Sequence, residues 1–181
     1  MTGGKNLRME GKKKLFLELD GKSFLESILD ALQCFEKTYL SVEDTAPYEH
    51  LEMPMIVDEI PEIGPIGGIY SGLKNCGEEA LLVVACDMPF VTTAAVRRLL
   101  DVYSHRQKIT IAWAEDKEHP LLGIYPKTAL PIFEKQIQAG DYELMHALVH
   151  AGFAVVTLPK GDNSVTNINT VAEFEQLKGK A

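Results

Sequence analysis

Ala80-Leu81-Leu82-Val83-Val84-Ala85, followed by Cys86-Asp87-Met88-Pro89, is the stretch of sequence that decides the fold class. The first part has the length of a strand, and its lack of polar alternation is typical of a strand buried on both faces in a parallel sheet. Open sheets of this kind bind ligands beyond the carboxyl ends of their strands. The stretch therefore predicts an α/β fold with Asp87 at the edge where ligands bind.

Helical and strand-like segments alternate on both sides of this run. A capping box at Ser23 and Glu26 begins a helical pattern that extends to Phe35. The other predicted elements, in chain order, are strands at 38–42 and 55–58, a loop at 59–68 leading into a helix through 73, a helix at 93–103, a strand at 109–113, a loop plus strand within 115–125, helices near 127–138 and 142–151, a strand at 153–158, and a last helix opened by a second capping box at 170–173. This alternation predicts a single domain over residues 1–181, with a three-layer, doubly wound, mostly parallel sheet.

Composition and charge restrict the functional classes. The 181 residues carry a net charge of −8, which disfavours nucleic acid as a partner. Residues 1–22 contain six basic and three acidic side chains, a local +3 that leaves −11 on the rest of the chain, and this suggests a small polyanionic ligand. No apolar run approaches the roughly 20 residues that span a bilayer, and the first residues do not look like a secretory signal.

The three cysteines show no paired spacing. This pattern suits free thiols in a reducing cytoplasm better than a disulfide or zinc framework. We expect Cys34 and Cys86 to be small buried side chains. His146 and His150 are four residues apart on a predicted helix, but no Glu follows His146, and a solvated helix face explains the pair better than a metal site.

The first candidate for chemistry is the basic, glycine-containing segment that begins at Gly3-Gly4 and continues to Lys14. Adjacent glycines let backbone N–H groups approach phosphate oxygens, and Arg8 and Lys14 supply neutralising charge. The segment is not a Walker A loop, because G-x-x-x-x-G-K-[ST] is absent. From the glycine pair alone, an ordinary turn remains the better interpretation.

Two further candidates follow predicted strands. Asp87 could hold Mg²⁺, which prefers oxygen ligands and shares phosphate oxygens with a substrate. It could instead cap the next helix, although Thr92 or Thr93 suits that role better. The Gly64–Gly68 segment, which follows Asp58, could shape a base or pterin pocket, but its composition favours a simple strand-to-helix turn.

These motifs together resemble one family. Thr2-Gly3-Gly4-Lys5-Asn6-Leu7-Arg8-Met9, with Lys14 and Leu19-Asp20-Gly21-Lys22, is similar to the opening signature of nucleotidyltransferases, which many CTP-dependent and sugar-phosphate transferases share. The more specific motifs are Ile56-Val57-Asp58, Gly64-Pro65-Ile66-Gly67-Gly68, Cys86-Asp87-Met88-Pro89-Phe90, His119-Pro120-Leu121 and Asn167-Ile168-Asn169-Thr170. Their order and spacing resemble the molybdenum cofactor guanylyltransferases.

The resemblance implies a Rossmann-like nucleotidyltransferase fold and transfer of GMP from GTP to molybdopterin, with release of pyrophosphate. It implies nucleotide contacts from the N-terminal part and molybdopterin contacts from the C-terminal part. The implied nucleotide-binding residues are Thr2, Gly3, Gly4, Lys14, Asp58 and Asp87. Arg8, Lys14 and Asp87 are the implied catalytic residues, with Mg²⁺ on Asp87, and His119, Asn167 and Asn169 are implied for molybdopterin. Other proteins of molybdenum cofactor biosynthesis are the implied protein partners, and neither nucleic acid nor a membrane is expected.

The sequence departs from the family pattern in several places. Glu10, Lys13 and Glu43 stand where the family often has Gly, an acidic or polar residue, and Asn. The family's first strand has no counterpart here, because only Met1 and Thr2 precede Gly3. We therefore expect that the sequence starts late; if the chain is natively this short, we expect it to bind GTP weakly. A CTP-dependent or sugar-phosphate nucleotidyltransferase and a non-catalytic nucleotide-binding relative remain alternatives.

Overall fold

Strands and helices alternate in the computed structural model, which describes the backbone of residues 8–9 and 12–178 and the side chains of 13–170 and 172–176. The strands are β1 (Arg8–Met9), β2 (Lys12–Lys13), β3 (Glu18–Leu19), β4 (Lys22–Ser23), β5 (Leu40–Val42), β6 (Met55–Val57), β7 (Ala80–Val84), β8 (Ile109–Ala114), β9 (Lys117–Pro126) and β10 (Phe153–Thr157). The α-helices are α1 (Phe24–Ala31), α2 (Pro65–Asn75), α3 (Thr93–Arg106), α4 (Leu130–Gln138), α5 (Leu144–Ala151) and α6 (Val171–Lys178). Short 3₁₀ turns occupy Lys14–Phe16, Ala46–Leu51 and Lys127–Ala129.

The main sheet has four strands in the order β10-β8-β9-β7, and β5 and β6 form a separate parallel pair. β10 is parallel to β8, whereas β9 is antiparallel to both of its neighbours. The residues that follow β6 and β7 line one small cavity, so these two strands run in the same direction. Among β5 to β10, only β9 therefore runs the other way, and the predicted mostly parallel sheet is confirmed.

Helices cover both faces of the sheet. α1 and α3 pack on one face, where the core includes Ile28, Val96 and Leu99. α2, α4 and α5 pack on the other, where the core includes Ile69 and Phe133. This arrangement is the predicted three-layer, doubly wound architecture. None of the described helices is long and apolar enough to cross a membrane.

The helix α2 begins earlier than predicted. It starts at Pro65, so the expected loop at 59–68 is wrong for its last four residues. Gly64 has φ 76°, which starts the helix sharply, and Pro65 occupies its first turn. A Cβ on Gly67 would lie 2.7 Å from Cγ1 of Ile63 and 3.0 Å from the carbonyl oxygen of Ile60. Glycine here serves close packing inside a helix and does not mark a loop.

The segment predicted as a loop plus strand within 115–125 is a long strand. β9 joins β8 through a tight turn at Glu115 and Asp116, with φ 51° and 58°, and inserts between β8 and β7. The β8–β9 register shifts between Ile111 and Ala112, which accommodates Pro120 of β9. Pro120 and Gly123, inside this strand, are residues that sequence patterns associate with turns, and they conceal the strand.

Local helix signals had mixed outcomes. Ser23 and Glu26 form the predicted capping box, but α1 ends at Ala31, before Phe35. Cys34 therefore lies beyond the helix and is exposed, so the expectation of a buried thiol is wrong there, whereas Cys86 is buried as predicted. The Thr92 hydroxyl caps α3 by accepting from the backbone N–H of Ala95, which leaves Asp87 without a capping role.

Candidate active site at the carboxyl edge of the sheet

Two carboxylates that follow buried strands share a small cavity. Asp58 comes directly after β6 and Asp87 lies in the loop after β7; both line a space of ≈ 80 Å³. Gly64 and Pro65 at the N-terminus of α2 line it too. The cavity thus combines two acidic side chains with the positive end of a helix dipole.

Both carboxylates are poorly solvated. Burial raises the pKa of Asp87 above its ordinary value, against the attraction of the Lys14 ammonium, and Oδ1 of Asp87 is buried with no hydrogen-bond partner within the described residues. Burial also raises the pKa of Asp58, and the negative charge of Glu43 raises it further. The Ser41 hydroxyl donates to Asp58 Oδ1 at 3.2 Å, and this hydrogen bond lowers the pKa. The two acids therefore form a site that a cation would stabilise.

Lys14 contributes a cationic group to the site. Its side chain is only 4% exposed, and its Nζ donates to Oδ1 of Asn169 at 3.2 Å. The adjacent Lys13 anchors the turn, because its ammonium lies 4.0 Å from the ring centroid of Tyr48, which is itself buried. A buried ammonium requires compensating charge or acceptors. The fold therefore holds a preformed cation next to Asp87.

A C-terminal segment closes over this cation. The backbone N–H of Ile168 donates to the carbonyl oxygen of Asp87 at 2.9 Å, and the Ile168 side chain is fully buried. Asn167 and Asn169 alternate with it and are exposed. Glu173 Oε2 accepts from the backbone N–H of Asn169 at 2.6 Å, and hydrogen bonds from that N–H and the next lower the pKa of Glu173. Glu173 thus fixes the residue that holds Lys14.

The sequence-predicted site residues separate into three groups. The structure brings Lys14, Asp87 and Asn169 together, with Asp58 across the small cavity and Asn167 on the same exposed segment as Asn169.

His119 is 7% exposed and its Nε2 lies 3.2 Å from the carbonyl oxygen of Ala114, so its ring lies at the β8–β9 turn. Burial lowers the pKa of His119, which keeps the ring neutral. The third group is Thr2, Gly3, Gly4 and the side chain of Arg8, which lie outside the described residues; the Arg8 backbone pairs with Lys13 in a β1–β2 hairpin.

Sequence reasoning missed the residues that support the site. Glu173 was visible as part of a capping box, but nothing in its spacing indicated the link through Asn169 to Lys14. Tyr48 carries no motif, and only the fold places its ring beneath Lys13.

The donor set fits a divalent cation that is shared with a phosphate ligand. Asp87 and Asp58 supply hard oxygen donors, and one Asp87 oxygen has no other partner within the described residues. That part of the chain contains no cluster of three or more His, Cys, Asp or Glu side chains arranged to hold a metal. Mg²⁺ is typically held by one or two carboxylates plus substrate phosphates, so one acid is enough, and Asp87 suits it better than Asp58 because its Oδ1 lacks a partner within the described residues.

The fold and this site define the class of nucleoside-triphosphate transferases. A family model described as a MobA-like NTP transferase domain matches residues 1–152, and the chain belongs to this family. It is 32% identical over 178 residues to a probable molybdenum cofactor guanylyltransferase of Flavobacterium johnsoniae, with 98% of this chain and 93% of the relative covered. A probable molybdenum cofactor guanylyltransferase of Aquifex aeolicus is 30% identical over 98% of this chain and 87% of its own length.

Solved structures agree with this family membership. The crystal structure of molybdopterin-guanine dinucleotide biosynthesis protein A from Archaeoglobus fulgidus matches with a TM-score of 0.81 and 25% identity, over 99% of this chain and 95% of that chain. The 2-C-methyl-D-erythritol 4-phosphate cytidylyltransferase of Thermus thermophilus, at 14% identity and a TM-score of 0.68 over 92% of this chain and 93% of that chain, has the same fold.

Proposed function

We propose that this protein transfers GMP from GTP to molybdopterin, forming molybdopterin guanine dinucleotide and pyrophosphate, in the cytoplasm and with Mg²⁺. The observation that carries the proposal is the buried Lys14 ammonium, held by Asn169 beside an Asp87 oxygen that has no hydrogen-bond partner in the part of the chain that the structure describes. Family membership supplies the substrate class, because the two relatives named above are both described as molybdenum cofactor guanylyltransferases.

The chemistry requires little from a general base. An oxygen of the molybdopterin phosphate, already anionic, forms a bond to the α-phosphorus of GTP, and the bond from that phosphorus to the bridging oxygen breaks to release pyrophosphate. Catalysis is then positioning and charge neutralisation. Lys14 neutralises the α-phosphate, and Arg8 neutralises the departing phosphates. Gly3 and Gly4 contribute backbone donors to the triphosphate, together with Thr2.

Asp87 holds the metal, and Asp58 binds the nucleoside from the other side of the small cavity. The bound Mg²⁺ supplies charge neutralisation at the phosphates. The raised pKa values of both acids indicate that burial has removed them from water, and a cation at this point offsets that cost.

Within a single domain over 1–181, the N-terminal part binds GTP and the C-terminal part binds molybdopterin. Asn169 lies where the two parts meet, since its amide oxygen already accepts from Lys14. Asn167 lies two residues away on the same exposed segment. His119 contributes as a neutral ring near the β8–β9 turn, which makes it a hydrogen-bonding group and not a charge for the pterin phosphate.

The test is pyrophosphate release with GTP, Mg²⁺ and molybdopterin, together with detection of the dinucleotide. Lys14→Met and Asp87→Asn should reduce turnover by about 100-fold or more, as expected for groups that stabilise charge in the transition state. Lys135→Met and Asp101→Asn, at exposed positions of α4 and α3, are the matched controls and should retain full turnover. Undiminished turnover in Asp87→Asn would remove Asp87 as the metal ligand.

The same assay separates the alternatives. Product from CTP in place of GTP would indicate a cytidylyltransferase, and product from a sugar phosphate in place of molybdopterin would indicate a different acceptor. Nucleotide binding without any pyrophosphate release would indicate a non-catalytic relative.

A further inference from the structure

The helices α1 and α6 both begin with a capping box, and the two boxes differ in one hydrogen bond. In the box of α1, Glu26 Oε2 accepts from the backbone N–H and the hydroxyl of the capping residue, Ser23. In the box of α6, Glu173 Oε2 accepts from the N–H of the capping residue Thr170 at 3.1 Å. It also accepts from the N–H of Asn169, one residue further back, at 2.6 Å. A capping box requires the bond to the capping residue alone, so the bond from Asn169 needs another explanation.

The bond from Asn169 is the shorter of the two bonds that Glu173 accepts. Hydrogen bonds to a carboxylate are shorter and about twice as strong as those between neutral groups. Among the causes that lower the pKa of Glu173, the hydrogen bond from Asn169 is the largest, ahead of the bond from Thr170. The positive charge of Lys14 lowers this pKa too. Glu173 therefore lies within electrostatic reach of the ammonium that Asn169 holds.

Both ends of this hydrogen bond are fixed to the core. Phe174 follows Glu173 in α6 and is 1% exposed, and its ring centroid lies 5.9 Å from that of Phe24 in α1. Ile168 precedes Asn169 and belongs to the same buried cluster. The exposed residues that make the bond are therefore each attached to a buried neighbour, and the bond closes a rigid link between them.

The ammonium at the other end of Asn169 needs such a support. A lysine carries its charge on a flexible four-carbon stem with three rotatable donors, so its position depends on the acceptor that holds it. Lys14 donates to the side-chain oxygen of Asn169 at 3.2 Å. Asn169 is itself exposed, and its side chain restrains Lys14 only as well as its own backbone is restrained. A displacement of about 1 Å at a reacting group can cost about 100-fold in rate.

We propose that Glu173 is a positioning residue for the transfer reaction. It fixes the backbone of Asn169, so that the amide oxygen of Asn169 keeps the Lys14 ammonium directed at the α-phosphate. The reaction in this inference rests on the proposed function. The action of Glu173 on Lys14 does not, and it is measurable without any substrate.

The substrate-free measurement is the rate at which an amine-acylating reagent modifies Lys14 in the full chain, followed by mass spectrometry. Glu173→Ala should raise this rate about fivefold or more, as expected for one lost hydrogen bond. Glu173→Gln keeps an acceptor oxygen and should bring the rate back to near the native value. The matched control is Glu26→Ala, which breaks the capping box of α1 and should leave the rate unchanged. Lys127, whose Nζ donates to the carbonyl oxygen of Cys76 at 3.0 Å, is the internal reference for general unfolding.

A double-mutant cycle tests whether Glu173 acts through Asn169. Asn169→Ala removes the amide oxygen that holds Lys14, so adding Glu173→Ala to it should raise the labelling rate by less than about twofold. Additive effects would overturn the proposal. It is equally overturned if Lys14 in Glu173→Ala is labelled at the native rate, if Glu26→Ala has the same effect, or if labelling of Lys127 rises by the same factor.

Kinetics then test the role in the reaction. Glu173→Ala should lower kcat about fivefold with the KM for GTP within about twofold of the native value, because the loosened group acts mainly in the transition state. Glu173→Gln should restore kcat. A native kcat in Glu173→Ala, or a change in KM alone, would overturn the positioning role. If the native chain releases no pyrophosphate, the proposed function fails, and the labelling results still decide whether Glu173 positions Lys14.

Discussion

Replacing Asp87 with Asn should stabilise the folded protein while it removes activity. Burial raises the pKa of Asp87 above the ordinary value of 3.8, even though Lys14 attracts the ionised form, so desolvation is the larger effect. A group whose pKa is raised on folding stabilises the protein fully below its unfolded pKa and loses that contribution as the pH rises through the folded pKa. At neutral pH the native carboxylate therefore carries a cost that an amide does not.

The structure sets the size of this effect. One buried polar atom without a partner, such as Oδ1 of Asp87 within the described residues, costs about 1–3 kcal/mol. The Asn amide would leave one polar atom in the same place, so the low end of this range applies. We therefore expect the substitution to raise the free energy of unfolding by about 1 kcal/mol. For a chain of this size, that corresponds to a rise of about 2–4 °C in the unfolding temperature.

The assay is thermal unfolding by circular dichroism at pH 7 and pH 4, with the exposed Asp101→Asn on α3 as the matched control. The stabilisation of the Asp87→Asn variant should be present at pH 7 and diminish toward pH 4, where the native carboxyl group takes up a proton. Mg²⁺ with GTP should stabilise the native protein more than the variant. The reasoning is refuted if the variant is no more stable than the native protein at pH 7, or if its advantage is the same at both pH values.

Three further predictions concern single positions. Asn169→Ala should lower kcat/KM by about 10-fold or more, because the buried ammonium loses its acceptor, while Asn167→Ala should mainly raise the KM for molybdopterin; equal kinetic effects would argue against this division. Gly67→Ala should destabilise the protein by about 1–3 kcal/mol in urea unfolding, whereas Gly77→Ala, with open space around its Cβ position, should not. Cys34, exposed at the surface, should account for the fast phase in thiol titration, and Cys34→Ser should abolish that phase.

Much of the fold follows from short-range patterns in the sequence. The apolar run at 80–85 forms β7 and its buried continuation, and the capping box at Ser23 begins α1. Patterns fail where tertiary packing determines the structure. The glycine at 67 reads as a loop signal, but it is a helical residue whose missing side chain admits Ile63. β9 contains two prolines and a glycine, and it is a strand because β8 and β7 pair with it on both sides.

The site was predictable in its parts but not in its connections. Strand ends indicated where Asp58 and Asp87 would lie, because acidic residues that follow core strands meet at one edge of the sheet. The bond from Lys14 to Asn169 joins residues 155 positions apart, and no spacing rule relates them. The roles of Thr2, Gly3, Gly4 and Arg8 in holding the triphosphate, and of His119 in holding the pterin, stay predictions. The same is true of the binding and catalytic roles of Lys14, Asp58, Asp87, Asn167 and Asn169, although the structure shows where these side chains lie.

The electrostatics of the site account for why a triphosphate and a divalent cation would be bound together. Asp87 and Asp58 both resist ionisation because they are buried, and a polyanion alone would add further negative charge beside them. A divalent cation alone would satisfy the carboxylates but add to the positive charge of the buried Lys14. When a polyphosphate and a divalent cation bind together, the cation lies beside the carboxylates and the phosphate beside the Lys14 ammonium. Each ligand should therefore raise the affinity of the protein for the other by the same factor. Since Asn169 already restrains the Lys14 ammonium, this coupling extends to the C-terminal segment, where the second substrate is proposed to bind. Under the proposed function, the phosphate site therefore combines Lys14 from the N-terminal part of the chain with Asn169 from the C-terminal part.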